Sequence, residues 1–440
     1  MKIVGSKIWL LAVVLFAHSF MIAQENLSLA NAIKVGLAQN FDIQLTQKNI
    51  EVNQIQNTWG QAGRFPTVRL NMQQGNGVSD QRNNPTSFLQ TLLMSNSLQT
   101  GVGMDWVLFN GYRVKANKEK LEQLQFQSEG TAALVVENTI QAIMLTYYSA
   151  QLQLQKLTLL QTVMDLSREK WQHAKTKNDL GLGSKMDMLQ LESSYLTDSS
   201  NVLMQELALK NTVSNLNVLM GAPVESEWTI SDDFDLPENE YVFELMQQRM
   251  FDNNQNIKNE LINQEILTRD ISLAKATMYP VISFGAGANS DLSSFSIGGM
   301  RLGGSQLNYY ANFTLNFTLY DGGKVRRGIK ALEVQNEVNE IQMNQLKQKL
   351  SAELKTQVDL YSARRKMVTL SNRAFLLAKE NFNMIKLREN VGLVNSFTLR
   401  EIELAYLQTG ISMLESSFNL LESHLNITRL TGGILEEMPN

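Results

Sequence analysis

WVLFNGYRVKANKEKLEQ (residues 106–123) joins an apolar, aromatic-rich run to a charged helical pattern through Asn110-Gly111. Asn-Gly ordinarily closes a hairpin between two strands. Here no second strand follows, and helical periodicity continues to about residue 179 without a stop signal. The chain passes from a strand into a very long helix within a residue or two.

The stretch has a double. LFNGYRVKANKEKLE begins at Leu108 and LYDGGKVRRGIKALE at Leu319, so that Gly111/Gly322, Val114/Val325, Leu121/Leu332 and Glu122/Glu333 all stand 211 residues apart. The same offset relates GLGSKMDMLQLESSYL (181–196) to GLVNSFTLREIELAYL (392–407), while Asn40, Ile43 and Pro66 match Asn254, Ile257 and Pro280 at an offset of 214. A period this long is a duplicated domain, not a short-unit solenoid. The expected organisation is a signal peptide (1–23), a first repeat (24–220), a linker (221–240), a second repeat (241–432) and a tail (433–440).

Each repeat reads as a helical segment (about 27–63, then 241–277) ended by Pro66 or Pro280, two strands around a Gly/Ser/Asn-rich loop, a long helix (112–179, then 323–390), a Gly-Leu turn and a return helix. In 98–108, Leu98, Thr100, Val102, Met104, Trp106 and Leu108 alternate with Gln99, Gly101, Gly103, Asp105 and Val107; in 311–319 large apolar residues again alternate with Asn and Thr. Alternation over about ten residues fits a membrane β-barrel strand, and a soluble two-faced sheet explains it equally well. Trp106, Phe109, Tyr309, Tyr310 and Tyr320 gather toward the helix-proximal strand ends, as in an interfacial aromatic girdle. Four strands cannot protect their edges in lipid, whereas three copies would supply twelve. Val136, Ile140, Ile143, Tyr147, Ala150, Leu154 and Leu157 form a heptad stripe, with Leu145, Tyr148, Leu152 and Leu159 on a second face. Such a helix packs on two sides, in a closed ring or in an antiparallel bundle.

Composition narrows the classes. Net charge is −4, with 39 basic and 43 acidic residues, which carries no nucleic-acid footprint. The chain has no cysteine, which excludes disulfides and thiol chemistry, and only 6 prolines. Lys2 and Lys7 before IWLLAVVLFA (8–17), with Ala23 at the candidate cleavage site, read as an export signal. Enzyme chemistry lacks its parts: no phosphate loop occurs, no cofactor or metal site is expected, and His173 and His424 read as helix-surface histidines. GAGANS (285–290) and GGMRLGGS (298–305) read as a flexible surface loop, and Asp232, Asp233 and Asp235 as a solvated turn in the linker.

The ordered, duplicated set of LSLANAIKVGLAQNFDIQ (27–44), the prolines Pro66 and Pro280, the junction glycines Gly111 and Gly322 and the two Gly-Leu tips resembles the TolC-like outer-membrane efflux protein family over essentially the whole chain after the signal. The resemblance implies a mixed α/β membrane protein whose duplicated halves supply four amphipathic strands and long coiled-coil helices. These would complete a homotrimeric 12-stranded β-barrel in outer-membrane lipid and a periplasmic α-helical barrel. It further implies an exit duct of a tripartite efflux pump or type I secretion system of a Gram-negative bacterium, served by a periplasmic adaptor (membrane fusion protein) and an inner-membrane RND, ABC or MFS transporter. Residues 180–187 and 391–401 would meet the adaptor and form the constriction, which singles out Gly181, Leu182, Ser184, Asp187, Gly392, Leu393, Asn395, Thr398 and Glu401. Thr398 stands where well-known members carry an acid. Rings of Asp187 and Glu401 carboxylates would favour cations; each is equally explained as a helix-start carboxylate. A periplasmic coiled-coil adaptor or scaffold is the alternative, and it would lack the duplicated strands.

Overall fold

The structure is a computed structural model that describes residues 25–88, 90–232, 234, 236–297, 299–390 and 396–437. The expected signal peptide and Asp233, Asp235, Gly392, Leu393 and Asn395 lie outside the described residues. In chain order the elements are β1 (Glu25–Leu27), α1 (Leu29–Gln39), α2 (Phe41–Gln56), β2 (Thr67–Asp80), β3 (Leu92–Phe109), α3 (Arg113–Asp179), α4 (Lys185–Met220), β4 (Trp228–Ile230), α5 (Phe243–Asn253), α6 (Gln255–Ala276), β5 (Val281–Ile297), β6 (Met300–Asn316), α7 (Lys324–Asn390) and α8 (Ser396–Leu430). Two helices, two long strands, one 67-residue helix and one return helix thus recur in the same order. At about 1.5 Å per residue each of the two long helices spans about 100 Å.

Two elements differ from the sequence expectation for identifiable reasons. The opening helix of each half is broken in two, at Asn40 and at Asn254, both with extended backbone (ψ 129° and 124°). The Asn40 carboxamide accepts from the Ile43 N–H at 3.1 Å, starting α2, while its Nδ2 donates to the Leu219 carbonyl at 2.8 Å. Asn254 Nδ2 donates to the Leu430 carbonyl at 2.9 Å in the corresponding way. Each Asn therefore restarts a helix and satisfies an orphan carbonyl at the end of a return helix. The strands are also longer than the ten residues expected, running to 14, 18, 17 and 17 residues. GAGANS and most of GGMRLGGS lie within β5 and β6 and not in a loop. Small and polar residues can extend a strand wherever backbone pairing continues.

The chain divides into two units, one of residues 46–132 with 256–346 and the other of the remainder. In the first, β2-β3-β5-β6 form an antiparallel sheet of 4 strands. The start of α3 is held on two sides there: Lys118 Nζ donates to Asn57 Oδ1 at 2.6 Å, while Lys120 pairs with Asp270 of α6 at 2.5 Å and Gln127 bonds Asn263 at 2.6 Å. In the second unit helices lie in the order α4-α3-α8-α7. Gln205 meets Gln153 at 2.8 Å, Lys156 meets Glu415 at 2.6 Å, and Arg364 meets Glu422 at 2.9 Å across successive pairs. The α3 stripe residues Ile140, Ile143, Tyr147, Ala150 and Leu157 are all buried, as the heptad spacing predicts. β1 and β4 pair in parallel, so part of the linker is a strand.

Gly111 explains the passage from strand to helix. Its φ is +67°, and a Cβ placed there would lie 2.5 Å from the Ala276 carbonyl and 2.7 Å from Tyr279 Cβ. Gly322 has the same φ with nothing within 4 Å. The pair separates backbone strain from collision: Gly322→Ala should cost about 1 kcal/mol from strain alone, and Gly111→Ala roughly 2–3 kcal/mol. Chemical unfolding of the two variants in detergent tests this, and equal losses would contradict the collision.

Candidate functional site

Strand register places Val68, Leu70 and Met72 of β2, Val102, Met104 and Trp106 of β3, Ile282, Phe284, Ala286 and Ala288 of β5, and Leu307, Tyr309, Ala311, Phe313 and Leu315 of β6 on one face. The other carries Arg69, Asn71, Gln73, Asp105, Gly103, Gly101, Gly287, Asn289, Asn312 and Asn308. The apolar face is exposed: Leu70 is 71% and Phe313 75% accessible. A soluble surface rarely tolerates so large an apolar patch. The apolar band covers about nine positions next to the helix-bearing end, matching the strand length that spans hydrocarbon.

Of the five aromatic residues expected to form one girdle, Trp106 lies on the apolar face in a row with Phe284 and Phe313, and its indole N–H donates to the Arg64 carbonyl at 2.9 Å. Phe109 shares that face after a bulge and meets Tyr112 edge-on at 5.6 Å. Tyr309 stands within the band, in the row of Leu70, Val102 and Ala288 and away from its helix-proximal end, because β6 begins at Met300, well before the expected residue 311. Tyr310, paired with Gly287, points to the opposite, polar face, and Tyr320 lies beyond the end of β6. Phe284 and Phe313, 4.9 Å apart, replace them in the row. Pro66 and Pro280 immediately precede β2 and β5. Arg69 pairs with Asp105 at 3.3 Å on the polar face.

At the far end of α3, Gly181 (φ +72°) and Leu182 close the helix, their N–H groups donating to Asn178 and Lys177 carbonyls at 2.9 and 2.8 Å. Leu180, Leu182 and Met186 stand exposed around this turn. Ser184 caps α4 without a side-chain bond. Asp187 lines a cavity of about 370 Å³ with Ser184, His173, Lys170 and Lys177. Thr398 and Glu401 lie exposed on the first turns of α8.

Nearby is a buried ionic network that sequence patterning does not single out. The Arg400 guanidinium clasps both Asp198 carboxylate oxygens at 2.7 Å each. Ser167 also bonds Asp198, and Lys170 pairs with Glu403. Asp198 and Glu403 are 3% and 1% accessible, so neither carboxylate is water-stabilised. α3, α4 and α8 are joined by these groups.

A second polar centre lies where β1 meets α1. The Tyr147 hydroxyl donates to the Leu27 carbonyl at 2.8 Å and lies 3.0 Å from Asp232, whose carboxylate also accepts from the Leu29 N–H at 2.7 Å. Asp232 is thus a structural acceptor, not a solvated turn residue. Burial above all pushes the Tyr147 phenol up to about 12. A phenol so raised contributes stability that is complete below its ordinary value near 10 and is lost as pH rises toward 12. Tyr147→Phe should cost about 1–2 kcal/mol at neutral pH and flatten the alkaline fall, as read by unfolding at pH 8 and 11. His424, expected on a helix surface, is buried: Tyr241 Oη lies 2.5 Å from Nδ1 and Glu437 lies 3.3 Å from Nε2. Both ring nitrogens have partners.

Among the described residues no helix is long and apolar enough to cross a membrane. A family model described as outer membrane efflux protein matches residues 32–222 and 247–433. No curated protein matches the chain. Among solved structures, the outer-membrane channel OprN is similar with a TM-score of 0.71 at 15% identity, over 92% of this chain and 90% of that one. A membrane protein from Pseudomonas aeruginosa gives 0.73 at 15%, over 92% and 90%. The outer membrane protein VceC from Vibrio cholerae gives 0.69 at 12%, over 92% and 96%.

Proposed function

The chain belongs to the outer membrane efflux protein family, and from that membership we propose that it is the outer-membrane exit duct of a tripartite efflux or type I secretion system. The observation that carries this is the sheet: one face exposed and apolar, the other polar, with β2 and β6 leaving both edges open. Open edges in lipid demand partners. A homotrimer supplies twelve strands and closes them, with the polar face turned to a water-filled lumen. The helices carry matching open flanks. α4 exposes Leu196, Leu203 and Leu207, and α7 exposes Leu370, Leu377 and Leu387. These flanks lie at the two ends of the α4-α3-α8-α7 order, so α4 of one copy can pack on α7 of the next. The helices would stand in the periplasm and receive cargo there. Leu180, Leu182 and Met186 would dock an adaptor's helical tip, which in turn connects to an inner-membrane transporter that supplies energy and selects the cargo.

The native mass of detergent-extracted protein, with bound detergent subtracted, tests this. A trimer that needs detergent to leave the membrane supports the duct; a monomer released by salt overturns it and leaves a periplasmic helical scaffold. Under the same reading Asp187 and Glu401 form carboxylate rings at the periplasmic mouth. Asp187→Asn with Glu401→Gln should shift the reversal potential in a salt gradient toward that of a nonselective pore. An unchanged potential removes the cation-selective ring.

A further inference from the structure

Where the sheet gives way to helices, the second half carries an excess of positive charge. Lys324, Arg326, Arg327 and Lys330 all fall within the first seven residues of α7, and its first turn holds no acidic residue. Cations at a helix start are opposed by the helix dipole, and the acid at this start, Asp321, accepts from the Gly323 and Val325 N–H groups at 2.8 Å each. In the first half the position matching Arg326 is Lys115, which reaches Glu119 at 3.9 Å, and the position matching Lys330 is Glu119 itself; nearby, Lys120 holds Asp270 and Lys118 bonds Asn57. In the second half, among the described residues, neither Arg326 nor Lys275 at the end of α6 has an ion-pair partner, and Lys330 reaches Glu333 at 3.7 Å. Lys275, Arg326 and Lys330 rim one open cleft of about 650 Å³ together with the Glu333 carboxylate, with Tyr279 and buried Ile329 beside them. Lys275 and Tyr279 of the cleft lie just before β5 in the chain, whose first residue Val281 pairs with Asn316, next to the exposed Leu315 and Phe313. A ligand suited to both features has an anionic head and an apolar tail.

We propose that this cleft binds the phosphate headgroup of an anionic phospholipid at the periplasmic surface of the outer membrane. The acyl chains would lie along the apolar strands above. The proposal rests on the sheet being the membrane-spanning part. Three cations against the single carboxylate of Glu333 leave the cleft with a net positive charge, and that excess selects an anionic lipid over a zwitterionic one. Tyr279, 52% exposed, offers an amphipathic ring at the boundary.

Native mass spectrometry of the full chain in non-ionic detergent, titrated with phosphatidylglycerol or phosphatidylcholine, reads the preference. Wild type should retain phosphatidylglycerol at roughly tenfold lower lipid concentration than phosphatidylcholine, given the attraction of each basic side chain to an anionic surface. Lys275→Gln, Arg326→Gln and Lys330→Gln combined should bring the two lipids to parity, while Lys175→Gln, on the far part of α3, should change nothing. Equal retention by wild type, a preference that survives the triple variant, or an equal loss in the Lys175 control overturns the proposal. Displacement of the lipid by millimolar inorganic phosphate also overturns it, since the cleft would then be a free-anion site. Extraction is read first. Protein that leaves membranes in high salt defeats the duct reading, whereas protein that needs detergent yet shows no lipid preference defeats only this site.

Discussion

Arg400→Ala is expected to destabilise the protein by about 3–5 kcal/mol, the usual consequence of stripping one partner from a buried ion pair. The size follows from what is left behind. Asp198 is 3% accessible, and the guanidinium supplies two of its hydrogen bonds, each of 2.7 Å. Without it the carboxylate keeps Ser167 and, among the described residues, no cation. Arg400→Lys should recover only part of the loss, because an ammonium cannot reproduce the planar two-point contact. Asp198→Leu with Arg400→Leu should be close to wild type, since desolvating the pair offsets much of its attraction. The double variant also keeps the test informative if the single one fails to accumulate. Denaturant unfolding of the three variants, closed into a double-mutant cycle, gives the coupling. A single-variant loss below about 1 kcal/mol would place this pair among solvated surface bridges and would falsify its buried role.

That network also marks where sequence reasoning stops. The long helices were legible almost to the residue, α3 at Arg113–Asp179 and α7 at Lys324–Asn390, because a glycine in the sequence punctuates each end of an otherwise uninterrupted pattern. Both helical breaks were hidden: apolar periodicity runs on past Asn40 and Asn254, and what stops the helix is a carboxamide bonding a carbonyl 179 or 176 residues away. Strand length was hidden for a related reason, since glycine and serine read as loop unless the register that pairs them is known. Asp198, Arg400 and Glu403 carry no sequence pattern that distinguishes them from solvated helix charges. One signal was available. The positions 211 residues beyond Ser167, Lys170 and Asp198 are Ala378, Asn381 and Thr409, so the two halves differ in chemistry at three points that meet in space. Charge present in one repeat and absent from its twin indicates a local role that the shared scaffold does not require. The register likewise separates Tyr309 from Tyr310, adjacent residues on opposite faces that composition treats alike.

The face on which a charge is placed should decide whether the protein survives it. Leu70 and Asn71 are consecutive in β2, both exposed, and pair with Val102 and Gly101. If the sheet were a soluble one with both faces wet, arginine at either position would be nearly neutral, as most surface changes are. In lipid the two differ sharply. Leu70→Arg puts a guanidinium among Val102, Ala288 and Tyr309 near the middle of the apolar band, at a cost of about 2–4 kcal/mol per chain. Three copies around one barrel would raise this to about 6–12 kcal/mol, enough to abolish assembly, because marginal stability leaves little reserve. Asn71→Arg joins Asn289 and Asn308 on the polar face, where water remains available, and should leave assembly unchanged. The yield of detergent-extracted trimer from the outer-membrane fraction measures both. Equal yields for the two variants remove the barrel. Loss confined to Asn71→Arg inverts the faces and makes the apolar side the interior. Loss confined to Leu70→Arg is the outcome that an exposed apolar face, two open strand edges and a polar opposite face jointly require.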